Sequence, residues 1–330
     1  MTGKPLLMAL DRKPLERPPV WVMRQAGRYL PEYRELRGRH TFQEVVRTPD
    51  LAAEISLQPI RRFGMDGAVI FADIMTPLEA MGVEMSFDPG PKLRPLTIRE
   101  VLDLPELDRD RVGFVAETVR GVAAAVPDEV AVIGFAGAPL TILAYLLEGH
   151  GSKDFMAMRA ALRRDPAAAV EVLEKLSRSM GAYLGMQVDA GADVVQLFDT
   201  WAGLLDRDGF GRWALPAARS TLRALGVPSI YFAPGAGHAL EIQTAIGATA
   251  YGVDWRTPLE EAWRRLGDVA VQGNLDPAIL LTDPDTIQSE VRELLIGVNG
   301  RPGHVLNLGH GIDRRTPPEN VVAFVEAARG

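Results

Sequence analysis

Apolar and polar positions follow a repeating two-part pattern along this chain. A short β-branched apolar run comes first, then a longer stretch with apolar residues at helical spacing. The runs fall at 20–23, 68–71, 130–135, 194–198, 229–233, 249–253, 269–272 and 304–308. Near-continuous apolar runs suit strands covered on both faces, as in parallel sheets. Between them, amphipathic stretches at 51–63, 139–147, 166–186, 209–225 and 284–297 read as helices. Eight such alternations predict an α/β protein, a single (β/α)8 TIM barrel spanning 1–330. A doubly wound sheet in two halves is the alternative, but no linker or shift in composition marks a boundary.

Two local patterns refine this reading. Residues 83–87 and 92–96 flank Asp88-Pro-Gly-Pro and predict an extra β-hairpin over 83–96, outside the alternation. Thr76-Pro-Leu-Glu, Thr257-Pro-Leu-Glu and Thr316-Pro-Pro-Glu each predict a threonine N-cap with proline at the first helical position. Polar residues just upstream of those threonines are then expected to be free of capping duty.

In such barrels chemistry gathers where strands end. Pro19-Val-Trp-Val-Met-Arg-Gln-Ala-Gly-Arg28 runs from an apolar segment into two arginines, and Arg34, Arg37 and Arg39 follow against only Glu32 and Glu35. The whole chain carries a formal charge of −7. A local arginine cluster in an acidic chain points to one anionic ligand, since guanidinium forks match carboxylates and phosphates. A solvated helix starting near Pro31 accounts for the last three arginines and explains Arg24 and Arg28 less well. Asp73 follows the second run, Tyr145 lies in the helix after the third, Thr200 and Asp199 follow the fourth, and His310 stands between Gly309 and Gly311 after the eighth. Each has a plain structural reading: a turn aspartate, a packed tyrosine, a capping threonine, a satisfied core histidine. Asp254 and Asn274 carry no signal beyond position, and a structural role is the better reading for both.

Composition narrows the chemistry. The chain has 330 residues and no cysteine, which excludes disulfides, thiolate nucleophiles and thiolate-held zinc or iron–sulfur clusters. Lysine occurs five times, the last at Lys175, and arginine 31 times. An acidic chain without a lysine-rich tract argues against a nucleic-acid surface. No apolar run is long enough for a bilayer, and the N-terminus lacks a secretory pattern; a cytoplasmic protein with no membrane partner is expected. The five histidines show no metal-ligand spacing, and no phosphate loop is present. Neither a metal nor a cofactor is expected.

The stretch from Pro19 to Arg28 resembles the first signature of the uroporphyrinogen decarboxylases, and Gly134-Phe-Ala-Gly-Ala-Pro-Leu-Thr-Ile-Leu-Ala-Tyr-Leu-Leu-Glu-Gly149 resembles the second. Phe71-Ala-Asp-Ile, Gln196-Leu-Phe-Asp-Thr200 and Asn307-Leu-Gly-His-Gly311 match in order, so the resemblance runs from near Lys4 to near Ala328. Leu140 stands where the family usually carries an aromatic, and Thr200 where it often carries serine; both swaps bear on substrate packing. The resemblance implies a cytoplasmic homodimer of (β/α)8 barrels. It implies cofactor-free conversion of uroporphyrinogen III to coproporphyrinogen III, with four acetates becoming methyls. Position by position it implies that Arg24, Gln25, Ala26, Gly27 and Arg28 bind substrate. Asp73 is then the transition-state stabiliser beneath the pyrrole N–H groups, and Tyr145, Thr200 and His310 complete the site. Asp73 is expected to stay ionised, its pKa lowered by N–H donors and nearby arginines. A cobamide-linked methyltransferase, similar in fold, needs cysteine-held zinc that this chain does not have. A tetrapyrrole carrier without chemistry needs no aspartate at that strand end.

Overall fold

A computed structural model describes residues 3–87 and 90–330. Seven parallel strands form one sheet in the order β1 (Gly67–Val69), β4 (Ala131–Gly137), β5 (Val194–Phe198), β6 (Ser229–Phe232), β7 (Ala250–Gly252), β8 (Ala270–Gln272) and β9 (His304–Val305). β2 (Ser86–Phe87) and β3 (Pro91–Lys92) form a separate antiparallel pair. The register is in step around the sheet, with Gly67 opposite Ala131, Ile133 opposite Val194 and Val271 opposite His304. Seven of the eight apolar runs are therefore strands, buried on both faces as their composition requires.

The first run closes the ring without becoming a strand. Val20 makes an isolated parallel bridge to Leu306, with Leu306 N–H to Pro19 O at 2.9 Å. On its other side Asp66 N–H donates to Val20 O at 2.8 Å. Trp21 N–H donates to Leu306 O at 3.3 Å, and the other N–H groups go to side chains: Val20 to Asp66 Oδ2 (2.7 Å), Val22 to Gln25 Oε1 (3.4 Å) and Met23 to Asn307 Oδ1 (3.1 Å). Side-chain acceptors replace a ladder, so the segment bends early and frees Arg24 to turn. A buried polar chain ties it across the interior: Trp21 Nε1 to Gln272 Oε1 at 3.1 Å, then Gln272 Nε2 to Gln196 Oε1 at 3.1 Å.

Helices cover the outside at Pro49–Phe63, Pro139–Glu148, Pro166–Asp189 and Pro284–Val298, close to the predicted bounds. The stretch expected as one helix over 209–225 is broken. A π-helical turn occupies Phe210–Ala214, and the α-helix proper is Leu215–Leu222. Pro216 has no N–H to give and forces the change of register. The hairpin is shorter than predicted, and Asp88 and Pro89 of its turn lie outside the described residues. Its second strand docks on the Tyr145 helix, with Leu93 N–H to Gly149 O and Leu96 N–H to Leu146 O, both 2.8 Å.

The three Thr-Pro starts are not threonine caps. Pro258 and Pro317 sit at the N-cap in extended conformation, ψ 134°, so each helix begins one residue later than the motif predicts. At the first, Thr76 is already helical and Met75 is the N-cap. Thr316 Oγ1 is buried with no partner among the described residues. The true capping boxes are Thr41 with Glu44 and Thr97 with Glu100. No helix among the described residues is long and apolar enough to cross a membrane.

Candidate active site

Of the residues singled out from the sequence, Asp73, Thr200 and His310 follow the carboxyl ends of β1, β5 and β9, Arg24 and Arg28 follow the bridging segment at 20–23, and Tyr145 lies in the helix after β4. β1 stops because Phe71 N–H turns to Ser56 Oγ (2.8 Å), and the chain then bends into Asp73. Asp73 Oδ1 accepts from Met75 N–H at 2.8 Å, and Thr76 N–H donates to Asp73 O at 3.1 Å. The aspartate, not Thr76, therefore organises the helix start, contrary to the expectation that Thr76 frees it. Its second oxygen has no protein donor among the described residues, so one acceptor remains for a ligand.

The electrostatics of Asp73 also differ from expectation. Burial pushes its carboxyl above the ordinary carboxylate range; the Met75 N–H opposes this, the Glu79 charge adds to it, and Arg24 opposes it more weakly. One backbone donor and one arginine do not outweigh desolvation. Glu79 is ion-paired to Arg47, and Asp73 lines a small cleft together with Phe42, Gln43, Arg47, Thr76 and Glu79.

Arg24 adopts φ +62°, the left-handed region that side-chain-bearing residues avoid. Its side chain and that of Arg28 are exposed, and neither forms an ion pair or hydrogen bond among the described residues. The arginines of the next helix are spoken for: Arg34 Nη1 donates to Tyr29 O at 3.0 Å, Arg37 to His40 O, and Arg39 pairs with Glu35. Arg24 and Arg28 are thus the cations left open to an anion. Gln25 is wholly buried; its Nε2 donates to Gly67 O at 3.0 Å, fastening the turn to β1. Ala26 and Gly27 are half-buried on that turn.

Tyr145 is half-buried and edge-on to Phe155 and Trp201, with ring centroids at 5.6 and 6.1 Å. Burial and the Asp73 charge raise its hydroxyl pKa, and Arg24 opposes them. His310 is held below its ordinary value by burial and by the Arg24 and Arg256 charges, so it is neutral at pH 7. Asp73, Tyr145, His310 and Arg24 therefore share one field at the mouth of the barrel. Thr200 is half-buried at the turn after β5, its hydroxyl without a partner among the described residues. Its neighbour Asp199 is buried and accepts from Thr141 Oγ1 and Tyr231 Oη, both at 2.8 Å. Asp254 and Asn274 are structural, as read from the sequence. Asp254 accepts Gly235 N–H and Arg256 N–H, and Asn274 Nδ2 donates to Asp254 O at 2.8 Å. Nothing in Phe-Asp-Thr tells the buried aspartate from the half-buried threonine beside it.

The model of the family described as uroporphyrinogen decarboxylase (URO-D) matches residues 1–330. Among curated relatives, the uroporphyrinogen decarboxylase of Geotalea uraniireducens is 42% identical over 321 residues, covering 95% of this chain and 94% of that protein. That of Chromohalobacter salexigens is 43% identical over 338 residues, covering 98% and 95%. A solved methyltransferase from Methanosarcina mazei superposes with a TM-score of 0.82 at 21% identity, covering 98% and 97%, and shares the fold.

Proposed function

We propose that this chain, which belongs to the uroporphyrinogen decarboxylase family, turns the four acetate arms of uroporphyrinogen III into methyls and so yields coproporphyrinogen III. The observation that carries the reading is a half-buried carboxylate after β1 with one open acceptor, within the field of the unpaired Arg24.

Decarboxylation of an acetate arm needs an electron sink. Protonation of the neighbouring ring carbon makes the pyrrole cationic and iminium-like. The bond to the carboxylate then breaks, carbon dioxide leaves, and the electron pair flows into the ring. A proton on the resulting methylene and loss of the ring-carbon proton give the methyl, so each arm consumes one proton and releases one carbon dioxide. Asp73 lies beneath the pyrrole nitrogens and stabilises the positive charge they acquire. A preplaced charge at that position needs little reorganisation, the strongest kind of electrostatic help. The N–H groups of the bound substrate supply the donors that Asp73 lacks when free, and draw its raised pKa down.

Arg24 and Arg28 clamp carboxylates of the macrocycle and fix which arm is presented. Gln25, Ala26 and Gly27 form the turn between them, and the buried Gln25 acts by holding its shape. Neutral Tyr145, Thr200 and neutral His310 offer uncharged hydrogen bonds around the ring. A homodimer working in the cytoplasm, without metal or organic cofactor, belongs to the same proposal and is supported by the family likeness; sedimentation of the purified protein tests the dimer.

The deciding experiment gives purified, chelator-dialysed protein anaerobic uroporphyrinogen III with no cofactor. Four carbon dioxide molecules per macrocycle and coproporphyrinogen III are expected. Tight binding without gas release would instead make the chain a carrier. Activity lost on dialysis and restored by a metal would overturn the cofactor-free mechanism.

A further inference from the structure

Arg256 stands on the same rim and has no place in the site described so far. It follows β7 in the turn Asp254-Trp255-Arg256-Thr257. That turn is pinned by Asn274, whose Nδ2 donates to Asp254 O at 2.8 Å and to Thr257 O at 2.7 Å. The His310 loop is pressed directly against it. A β-carbon built on Gly309 would lie 2.3 Å from Trp255 N and 2.9 Å from Asp254 C. The Trp255 ring meets the His310 ring edge-on, centroids 5.9 Å apart, and the Arg256 guanidinium lies over the Trp255 ring, 3.9 Å from its centroid. On the far side of His310, Arg24 lies across Gly311. Arg256, Trp255, His310 and Arg24 are thus a continuous set of contacts along one edge of the mouth.

The charge on this arginine is directed outward. Asp254 is its only partner among the described residues, through Nη1 to Oδ2 at 3.0 Å. The Asp254 side chain is 5% exposed and that of Arg256 56%. Asp254 also accepts two backbone N–H groups, so it orients the arginine without matching its full hydrogen-bonding capacity. Nε and Nη2 remain open. The stacked ring holds the guanidinium plane, which lowers the entropy lost when those two donors engage a ligand.

We propose that Arg256 is a third carboxylate-binding arginine of the cleft, which grips one acetate or propionate arm of the tetrapyrrole on the His310 side. This rests on the decarboxylase reading. A macrocycle with eight carboxylates leaves most of them without a cation if Arg24 and Arg28 act alone, and Arg256 supplies one further along the same edge of the rim, beyond His310.

The test is steady-state kinetics of Arg256→Ala and Arg256→Lys with anaerobic uroporphyrinogen III, alongside thermal melts and coproporphyrinogen III binding. In Arg256→Ala, KM should rise about three- to tenfold, as for loss of a part-exposed charged hydrogen bond. kcat should stay within about twofold, because no reacting atom is touched. Arg256→Lys should recover part of the loss by keeping the charge. A purely structural ion pair predicts otherwise: a lower melting temperature in both variants with unchanged KM, and that result overturns the proposal. So does a lower kcat at unchanged KM. Weaker coproporphyrinogen binding in Arg256→Ala assigns the arm as propionate; loss confined to uroporphyrinogen assigns it as acetate. A wild-type protein that binds the macrocycle without releasing carbon dioxide would remove the decarboxylase reading while leaving the binding comparison intact.

Discussion

Arg24 lies across the bare face of Gly311: a β-carbon built there would stand 2.5 Å from Arg24 Cδ and 2.9 Å from Nε. The arginine that crosses this gap also holds φ +62°. A left-handed backbone at a side-chain-bearing residue and a glycine cleared for its stem are two costs met in one contact. Such strain collects where function requires it.

Gly311→Ala tests that contact. Gly311 is not in the left-handed region, so the added methyl acts through the clash with Arg24 and not through backbone strain. Displacing the guanidinium should lower kcat/KM about tenfold or more, because a clamp misplaced by an ångström loses much of its effect. The melting temperature should change little. Arg24→Gly removes the same group while relieving the backbone, so it should lose activity yet melt no lower than wild type. Normal kinetics in Gly311→Ala would show that Arg24 does not need this path.

Arg28 is exposed, and its side chain has no ion pair or hydrogen bond among the described residues. Arg28→Ala should weaken substrate binding and let partly decarboxylated intermediates escape, with the melting temperature unchanged. Arg28→Lys should rescue only partly, since an ammonium lacks the bidentate fork. Chromatography of the released porphyrins and a thermal melt check both halves. A large fall in stability would make Arg28 structural.

The barrel was legible because strands covered on both faces read as unbroken apolar runs, and seven of the eight were strands. The first failed because three of its four N–H partners are side chains, Asp66, Gln25 and Asn307, at distant or polar positions that no period reveals. The Thr-Pro starts failed for a local reason: proline's fixed φ suits both a first helical turn and an extended cap, and sequence does not choose ψ. Within the site, the arginines stood out by charge pattern alone. The direction of the Asp73 shift did not, since it depends on how deeply the fold buries the group. Arg256 was missed because its significance lies in stacking on Trp255 and in contact with the His310 loop, which meet only in three dimensions.

Asp199 gives a stability prediction with a defined pH window. Burial lifts its carboxyl to about 6, while Tyr231 and Thr141 hydroxyls hold it down. A pKa raised on folding means stability that is present at low pH and lost as pH rises through about 6. Tyr231→Phe removes a donor to the ionised form and should raise that pKa further. The variant should lose about 1–3 kcal/mol at pH 8 and clearly less at pH 5, where the carboxyl carries its proton. Urea unfolding at the two pH values measures this. An equal loss at both would mean that the hydroxyl acts by packing and not through the carboxylate.

Asp73 carries the sharpest prediction, because its function and its stability pull in opposite directions. Its carboxyl is raised by burial, so the folded protein loses stability as pH climbs through that raised value and the group ionises in a desolvated place. Asp73→Asn removes the charge but keeps the size, and the amide oxygen can still accept from Met75 N–H. At neutral pH the variant should therefore melt at or above the wild-type temperature, and the two proteins should converge as pH falls toward the ordinary carboxylate range. Turnover should move the other way, falling by orders of magnitude for the loss of an electrostatic stabiliser worth ~3 kcal/mol or more. Asp73→Glu keeps the charge but pushes it one methylene into the cleft, and should exceed Asn in activity only as far as the site relaxes. In wild type, the acid limb of kcat/KM reports the free carboxylate, and the limb of kcat should lie at lower pH, because the bound pyrrole N–H groups stabilise the ionised form. Single-turnover decarboxylation, pH–rate profiles and melts on the Asn variant decide the matter together. A well-folded Asp73→Asn protein with near-normal turnover would remove Asp73 from the chemistry and leave it as the residue that starts the helix at Thr76.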